Sequence, residues 1–262
     1  MQERHPLNRS FAWQPSSHEP RTITPDQARQ FDEQGWFLLK KRFSDEELDE
    51  VEQAIAPLEA AREAEVREAG GQVRISRAGK ITFTANMVRH SEVLERFSRH
   101  PVFTGLVQDL IGPDVRLYHD QAVYKKPGNP ERFPWHQDNG YRFLEPQQYL
   151  TCWVALSDAT RENGCPQVVP GLHRLGTLRH WQTEFGWECL NEAEKVEVAE
   201  AERGDVVVFS SLTPHLTGPN LTDAVRKAYI LQYAPEGARV IADDRDPGTA
   251  QNNPEYQYLV TA

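Results

Sequence analysis

The stretch GDVVVFSSLTPHLTGPNLTDAVRKAYILQY, residues 204–233, decides the fold class. It holds two short apolar runs, GDVVVFSS and KAYILQY, with Pro, Gly, Asn and Asp between them. Apolar runs of this length, bounded by turn-forming residues, are typical of β-strands. We therefore predict that this part of the chain is built from strands joined by turns.

Four more runs of the same kind precede this stretch, at residues 114–126, 149–158, 165–171 and 195–200. Such a succession of short strands predicts one antiparallel β core. The strand number suits a jelly-roll, that is, a cupin-like double-stranded β-helix.

Helix signals dominate the chain before residue 113. Two pairs have the spacing of a capping box at a helix start: Thr24 with Gln27 and Ser44 with Glu47. Further helices are predicted over 91–100 and 101–112, and Pro57 is expected to kink or divide the helix that begins at Ser44. Helices followed by strands predict an α+β protein whose N-terminal helices pack outside the β core.

Composition excludes several classes of function. The chain has 262 residues and a formal net charge of −10, which argues against binding to nucleic acid or to anionic membranes. No apolar run approaches the roughly 20 residues of a membrane span, and the first twenty residues lack the apolar centre of a secretory signal. The three cysteines form no CxxC pair, so we expect a reducing cytoplasm. Without a convincing linker, we predict an irregular arm over 1–22 and a single domain over 23–262.

A histidine and an aspartate stand two positions apart in ERFPWHQDNGYRF, residues 131–143. Residues i and i+2 of a strand point to one face, so His136 and Asp138 are predicted to share a cavity. His215, just past the VVVF run, is the candidate third ligand. Two histidines and a carboxylate with open positions form the facial triad of non-haem Fe(II) oxygenases. Taken alone, an H-x-D pair is more often a solvated pair on a loop.

Arg226 follows His215 by eleven residues, at the head of the next strand. A guanidinium binds a carboxylate through two parallel hydrogen bonds. Its place suits the far carboxylate of 2-oxoglutarate at the base of an iron pocket. The alternative is a solvated arginine on an edge strand, which is a common arrangement.

Three ordered blocks, WHQD (135–138), CWVALSDATRENGCPQVVPGLH (152–173) and residues 204–233, resemble the phytanoyl-CoA dioxygenase family of Fe(II)/2-oxoglutarate-dependent oxygenases. The resemblance extends over roughly residues 25–235. It implies an enzyme that hydroxylates an unactivated C–H bond of a small organic molecule and releases succinate and CO2. Fe(II) is the implied metal, with 2-oxoglutarate and O2 as cosubstrates.

The resemblance also implies roles for individual positions. His136, Asp138 and His215 match the iron ligands, and Arg226 matches the arginine that binds the cosubstrate carboxylate. Further cosubstrate contacts are implied at Thr217, Trp153, Gln137, Gln121, Ala122 and Thr84. The strand register leaves open, by one residue, whether Gln121 or Ala122 makes this contact. Relatives have a lysine where this chain has Thr84, and Lys80 lies four positions away. Trp153 could equally be a core aromatic, and Thr217 could cap the TGPN turn.

Aromatic and polar side chains alternate around the H-x-D pair. We predict substrate contacts at Phe133, Asn139, Tyr141 and Arg142, and hence a partly apolar substrate with a polar or anionic handle. The alternative is that the aromatic residues only pack the sheet and that Arg142 is solvated.

Two other classes of protein fit part of the pattern. One is a non-catalytic jelly-roll protein that binds a ligand or a metal, and the other is a zinc hydrolase with the same three ligands. A hydrolase needs a general base beside its metal-bound water, and no motif such as HExxH supplies one. Related halogenases have a small residue at the Asp138 position, so the carboxylate favours hydroxylation; desaturation or ring formation would use the same ligands.

Overall fold

Four α-helices begin as their capping residues predict. The hydroxyls of Thr24 and Ser44 accept hydrogen bonds from the backbone N–H groups of Gln27 and Glu47, whose side chains in turn accept from the cap N–H groups. The computed structural model describes residues 2–16 and 19–261, so residues 1, 17, 18 and 262 of the predicted arm and domain lie outside it. The helices are α1 (Pro25–Gln34), α2 (Asp45–Glu68), α3 (Glu92–Ser98) and α4 (Pro101–Leu110). In the described part of the chain, no helix has the length and apolar character needed to cross a membrane.

Pro57 lies inside α2, which is continuous from Asp45 to Glu68. Pro57 therefore does not divide this helix, and the alternative, a kink at Pro57, stays a prediction. A proline inside a helix costs about 3 kcal/mol. Leu48, Val51 and Ile55 are almost completely buried on one face of α2, and burying each such side chain contributes about 1.5–3 kcal/mol. Packing of this face against the sheet outweighs the cost of the proline.

The strands that the sequence predicts are present, with shorter ones between them. In chain order they are β1 (Trp36–Leu39), β2 (Gln72–Val73), β3 (Ser76–Arg77), β4 (Ile81–Ala85), β5 (Val115–Lys125), β6 (Phe133–His136), β7 (Leu144–Glu145), β8 (Leu150–Ala155), β9 (Pro166–Val168), β10 (Trp181–Thr183), β11 (Gly186–Glu188), β12 (Glu197–Val198), β13 (Val206–Ser210), β14 (His215–Thr217), β15 (Arg226–Pro235), β16 (Arg239–Val240) and β17 (Thr249–Ala250). Three 3-10 helices complete the elements: Met87–His90, Asp138–Gly140 and Leu172–Leu175.

Two antiparallel sheets form the β core. The larger sheet has eight strands in the order β1-β13-β8-β15-β5-β4-β3-β2, and a four-stranded sheet has the order β12-β9-β14-β6. The predicted α+β class and the double-stranded β-helix core are confirmed. Two further small sheets, β10-β11 and β17-β16-β7, are separate from the two core sheets.

The large sheet has one face toward the helices and one toward the small sheet. On β15, Tyr229, Leu231 and Tyr233 belong to the core cluster that includes Phe31, Leu48 and Leu106 of the helices. Ala228 and Ile230 belong to a different cluster, between the sheets. Because side chains alternate along a strand, Arg226 and Gln232 share this inner face.

Hydrogen bonds tie the N-terminal arm to the body at several points, among them Asn8 and residues 21–23. Asn8 donates hydrogen bonds to the carbonyls of Leu175 and Thr177, both 2.9 Å long. Farther along, the buried carboxylate of Asp109 in α4 accepts hydrogen bonds from the backbone N–H groups of residues 21–23. The division into an arm and one domain stays a prediction.

We expect Asp109→Ala to lower the free energy of unfolding by about 3 kcal/mol, because three N–H groups lose their charged acceptor. Glu194→Ala, which removes an exposed carboxylate with no ion pair among the described residues, is the control and should change it by less than about 0.5 kcal/mol. Urea unfolding measures both. Equal midpoints for the two variants would contradict the role of Asp109.

Candidate functional site

His136, Asp138 and His215 converge where the two sheets meet. His136 ends β6, His215 begins β14, and the two residues are paired across these antiparallel strands. Asp138 Oδ1 lies 3.9 Å from His136 Nε2 and 3.8 Å from His215 Nε2. One ligand atom from each residue lies within 4.8 Å of the others, so a single metal ion could contact all three. Asp138 opens a 3-10 turn rather than continuing the strand, yet it still faces the same side as His136.

Main-chain carbonyls fix the orientation of both imidazoles. His136 Nδ1 donates a hydrogen bond of 2.9 Å to the carbonyl of Pro134, and His215 Nδ1 donates one of 3.0 Å to that of Thr213. A carbonyl only accepts, so each Nδ1 carries the proton and each Nε2 presents a lone pair. Burial, and secondly electrostatic repulsion from the His215 position, hold the pKa of His136 well below its usual value. His136 is therefore neutral, as a metal ligand must be.

Thr151 orients the carboxylate. Its hydroxyl, on β8, donates a hydrogen bond of 2.6 Å to Asp138 Oδ2, which leaves Oδ1 directed toward the two imidazoles. Thr151 is not among the residues predicted from the sequence. The available signal was its position two residues before Trp153, which puts both side chains on the inner face of the same strand.

Arg226 supplies a buried positive charge without a partner. Its side chain is fully buried, and none of its three guanidinium nitrogens has a hydrogen-bond partner among the described residues. Its guanidinium carbon lies 5.3 Å from the ring centroid of Trp153. Burial lowers its pKa to about 10, so it remains charged at neutral pH. A buried cation is stable only beside an anion or acceptors, and the terminal carboxylate of 2-oxoglutarate fits this requirement.

A second buried cation, Lys125, lies beside Arg226. The two residues are opposite each other in the register of β5 and β15. Lys125 is not among the residues predicted from the sequence either. Because side chains alternate along β5, Lys125 points to the inner face of the large sheet, whereas its neighbour Lys126 points to the helices and forms an ion pair with Glu59 of α2.

A cavity of about 1180 Å3 opens over the metal site. His136 and Asp138 form part of its wall. Of the predicted contact residues, the structure places five in this wall: Thr84, Gln121, Phe133, Tyr141 and Arg142. The rings of Phe133 and Tyr141 pack edge-on against His136, with centroids 5.0 and 5.4 Å from its own.

Gln137 and Asn139 lie beside the ligands but use their amides to brace the surrounding loops. Gln137 accepts a hydrogen bond of 2.6 Å from the N–H of Leu178, and it donates to the carbonyls of Gly176 and Leu212. Asn139 accepts from the N–H of Leu144 and donates to the Thr177 hydroxyl. The predicted contacts of these two amides with cosubstrate and substrate stay predictions.

The alternation of β5 separates Gln121 from Ala122. Gln121 shares the cavity with His136, whereas Ala122 belongs to the helix-side core and pairs with Thr84 of β4. Of these two neighbours, Gln121 is the one on the metal side of the sheet. His180, which no sequence signal marked, accepts a hydrogen bond of 3.0 Å from the backbone N–H of Gln137 and so positions the H-x-D segment.

A double-stranded β-helix that carries a His-Asp-His site and a buried arginine defines the class of Fe(II)/2-oxoglutarate-dependent oxygenases. The sequence pattern of the family described as "Phytanoyl-CoA dioxygenase (PhyH)" matches residues 31–228. The chain belongs to this family, as its sequence blocks predict. Its class is therefore that of the dioxygenases, with iron as metal and 2-oxoglutarate as cosubstrate.

Individual proteins agree with this assignment. A "Probable phytanoyl-CoA dioxygenase" of Caenorhabditis elegans is 32% identical over 158 residues, which are 54% of this chain and 51%, about half, of that protein. An "Ectoine dioxygenase" of Bordetella parapertussis is 30% identical over 238 residues, or 80% of this chain and 75% of that protein. The crystal structure of EctD from S. alaskensis with 2-oxoglutarate and 5-hydroxyectoine superposes with a TM-score of 0.74 at 19% identity, covering 98% of this chain and 94% of that one. This last likeness shows the shared fold.

We expect Thr151→Val to weaken metal binding roughly 10- to 100-fold, because the Asp138 carboxylate loses the hydrogen bond that orients it. Competition between the protein and a chelator for Co(II) measures the affinity. The exposed Thr160, changed to Val in the same way, is the control and should leave the affinity unchanged. A Thr151→Val protein with the affinity of the control would show that the hydrogen bond does not orient the ligand.

Proposed function

We propose that the protein hydroxylates an unactivated C–H bond of a small organic molecule, consuming 2-oxoglutarate and O2 and releasing succinate and CO2. One observation carries this proposal. His136, Asp138 and His215 could contact one metal ion, and the guanidinium of Arg226 has no hydrogen-bond partner among the described residues. This guanidinium lies over Trp153, which shares an inter-sheet cluster with Phe209, and the Phe209 ring lies 4.5 Å from that of His215. A metal-ligand set and an anion site together are what a chelating dicarboxylate requires.

In this proposal, the iron ligands and the residues that bind the cosubstrate have separate roles. His136, Asp138 and His215 hold the iron from one side, and Arg226 binds the far carboxylate of the cosubstrate. Bound iron with 2-oxoglutarate activates O2 and supplies the oxidant for the C–H bond. Trp153 packs against the guanidinium of Arg226 and so limits its orientations. The remaining proposed cosubstrate contacts are Thr217, Gln121, Gln137 and Thr84. Ala122, the alternative to Gln121 in the strand register, belongs to the helix-side core.

Aromatic side chains keep water from one side of the metal site. Phe133 and Tyr141 cover the edges of the His136 ring, and Phe209 lies 4.5 Å from the His215 ring, centroid to centroid. Exclusion of water strengthens the electrostatic interactions within the site and suppresses side reactions. We assign Phe133, Tyr141 and Asn139 to the substrate side of the cavity, together with Arg142.

The proposal also includes an anionic group on the substrate, referred to as the anionic handle. Arg142 lines the cavity and has no ion pair among the described residues. Tyr118 lines the same cavity; burial raises the pKa of its hydroxyl to about 12, and the charge of Arg142 opposes this rise. Tyr149 packs against Tyr118 with ring centroids 5.3 Å apart and also lines the cavity. A guanidinium beside phenol hydroxyls suits a carboxylate or a similar anion.

The organisation of the chain and its location are also part of the proposal. We propose one oxygenase domain over residues 23–262, with residues 1–22 as an arm. The three cysteines are free and buried, which supports a reducing, cytoplasmic location.

Anaerobic addition of Fe(II) and 2-oxoglutarate tests the proposed chemistry. We expect a weak visible charge-transfer band for the natural protein and none for His136→Ala, which lacks one metal ligand. The exposed His90, changed to Ala, is the control and should retain the band. Loss of the band from every form would favour a non-catalytic jelly-roll protein, and stoichiometric zinc without succinate formation would favour a hydrolase.

A screen of organic acids and their matched methyl esters tests the anionic handle. We expect acids, not esters, to accelerate succinate formation, and we expect Arg142→Met to raise their KM at least about 10-fold, since it removes a charged hydrogen-bond donor. Arg179→Met, at an exposed arginine paired with Glu3, should leave the KM unchanged. Equal stimulation by esters and acids would contradict the handle while leaving the oxygenase assignment intact.

A further inference from the structure

Two buried cations stand side by side with no carboxylate between them. Lys125 and Arg226 are both almost completely buried, and they are direct partners across β5 and β15. Like charges opposite each other in a sheet destabilise it, and burial increases the cost. Neither side chain forms an ion pair among the described residues; the nearby carboxylate of Glu131 is shared by Arg77 and Lys80. The pair therefore has two positive charges that the protein itself does not neutralise.

Lys125 fastens the turn that follows His215. Its ammonium donates hydrogen bonds to the carbonyls of Gly218, Glu131 (3.2 Å) and Thr217 (3.3 Å). An ammonium has three protons, so these three carbonyls use all of them. The hydroxyl of Thr217 lies 3.5 Å from the same nitrogen. Lys125 thus fixes the position of Thr217 relative to β5, the strand that carries Lys125 beside Arg226.

We propose that Lys125 is a positioning residue for the dianionic cosubstrate. It holds Thr217, two residues after the ligand His215, in position, and its charge adds to that of Arg226 in attracting the far carboxylate. This inference rests on the proposed role of Arg226 as the cosubstrate arginine. The inference adds Lys125 of β5 to the proposed cosubstrate site; β5 pairs with β15, which carries Arg226.

The charge of Lys125 should depend on whether an anion is bound. Burial, and then the charge of Arg226, lower the pKa of Lys125 to about 7, while Glu131 raises it slightly. Cys165 is the other titratable group near Arg226, and burial raises the pKa of its thiol to about 12, so it stays neutral. A bound carboxylate favours the ammonium form and raises the pKa of Lys125. Cosubstrate binding then takes up a proton above pH 7, and affinity falls as the pH rises above 7.

Calorimetric titration of 2-oxoglutarate into the anaerobic, Fe(II)-loaded protein tests this inference. We expect Lys125→Met to weaken binding roughly 10- to 100-fold, the usual effect of losing a charge-assisted interaction. Lys126→Met is the matched control, because the neighbouring ammonium pairs with Glu59 of α2 and not with the inner face. Its affinity should stay within about twofold of the natural protein.

A pH series separates positioning from simple structural support. For the natural protein, we expect affinity to fall between about pH 7 and pH 9, with proton uptake visible as a dependence on buffer ionisation enthalpy. Lys125→Arg stays charged and should hold its affinity over this range without proton uptake. Lys125→Met should bind weakly at every pH. Unchanged pH dependence in Lys125→Arg would overturn the inference, and this test remains available if Lys125→Met does not fold.

Arg226→Met distinguishes failure of this inference from failure of the proposed function. If Arg226→Met binds 2-oxoglutarate as the natural protein does, the cosubstrate assignment itself is wrong. If Arg226→Met loses binding while both Lys125 variants behave as the natural protein does, only the role of Lys125 is wrong. The double variant Lys125→Met with Thr217→Val should be no weaker than Lys125→Met alone, because both changes remove the same support.

Discussion

The antiparallel pairing of β6 with β14 is the constraint on which the site depends. It sets His136 directly opposite His215, and the turn after β6 then brings Asp138 to the same side. A slip of one residue in this register would turn one imidazole to the other face of the sheet. The large sheet contributes two more side chains to the site: Thr151, whose hydroxyl donates a hydrogen bond to the Asp138 carboxylate, and the fully buried Arg226.

Stability and chemistry are placed on opposite faces of one sheet. The helix-side face is apolar core, and its buried carboxylate Asp120 accepts hydrogen bonds through Oδ2 from the Tyr229 hydroxyl and from the N–H groups of Met87 and Val88. The inner face instead keeps Arg226 and Lys125 almost completely buried, and no guanidinium nitrogen of Arg226 has a hydrogen-bond partner among the described residues. Buried groups of this kind lower the free energy of unfolding, and proteins keep them at sites that bind ligands. The helices compensate for this cost.

The sequence alone was enough for the parts of the molecule that depend on local pattern. Capping boxes at Thr24 and Ser44, the strand runs after residue 113 and the H-x-D pair were all readable, and the family resemblance added Arg226. The directions of side chains in turns could not be predicted from the sequence. Gln137, for example, points toward Gly176 because β6 ends at His136. The i, i+2 spacing of Thr151 and Trp153 indicated a shared face, but the contact of Thr151 with Asp138 and the pairing of Lys125 with Arg226 depend on strands far apart in the chain, whose register no local pattern encodes. At Pro57, the helix continues undivided.

The hydrogen bonds of Asn8 reach the metal centre in two steps. Asn8 donates to the carbonyls of Leu175 and Thr177, and the Thr177 hydroxyl accepts from Asn139, whose neighbour is the ligand Asp138. Asn8 is thus connected through Thr177 and Asn139 to the segment that carries the Asp138 carboxylate. Loss of the Asn8 amide would remove support from this segment without changing any of the three ligands.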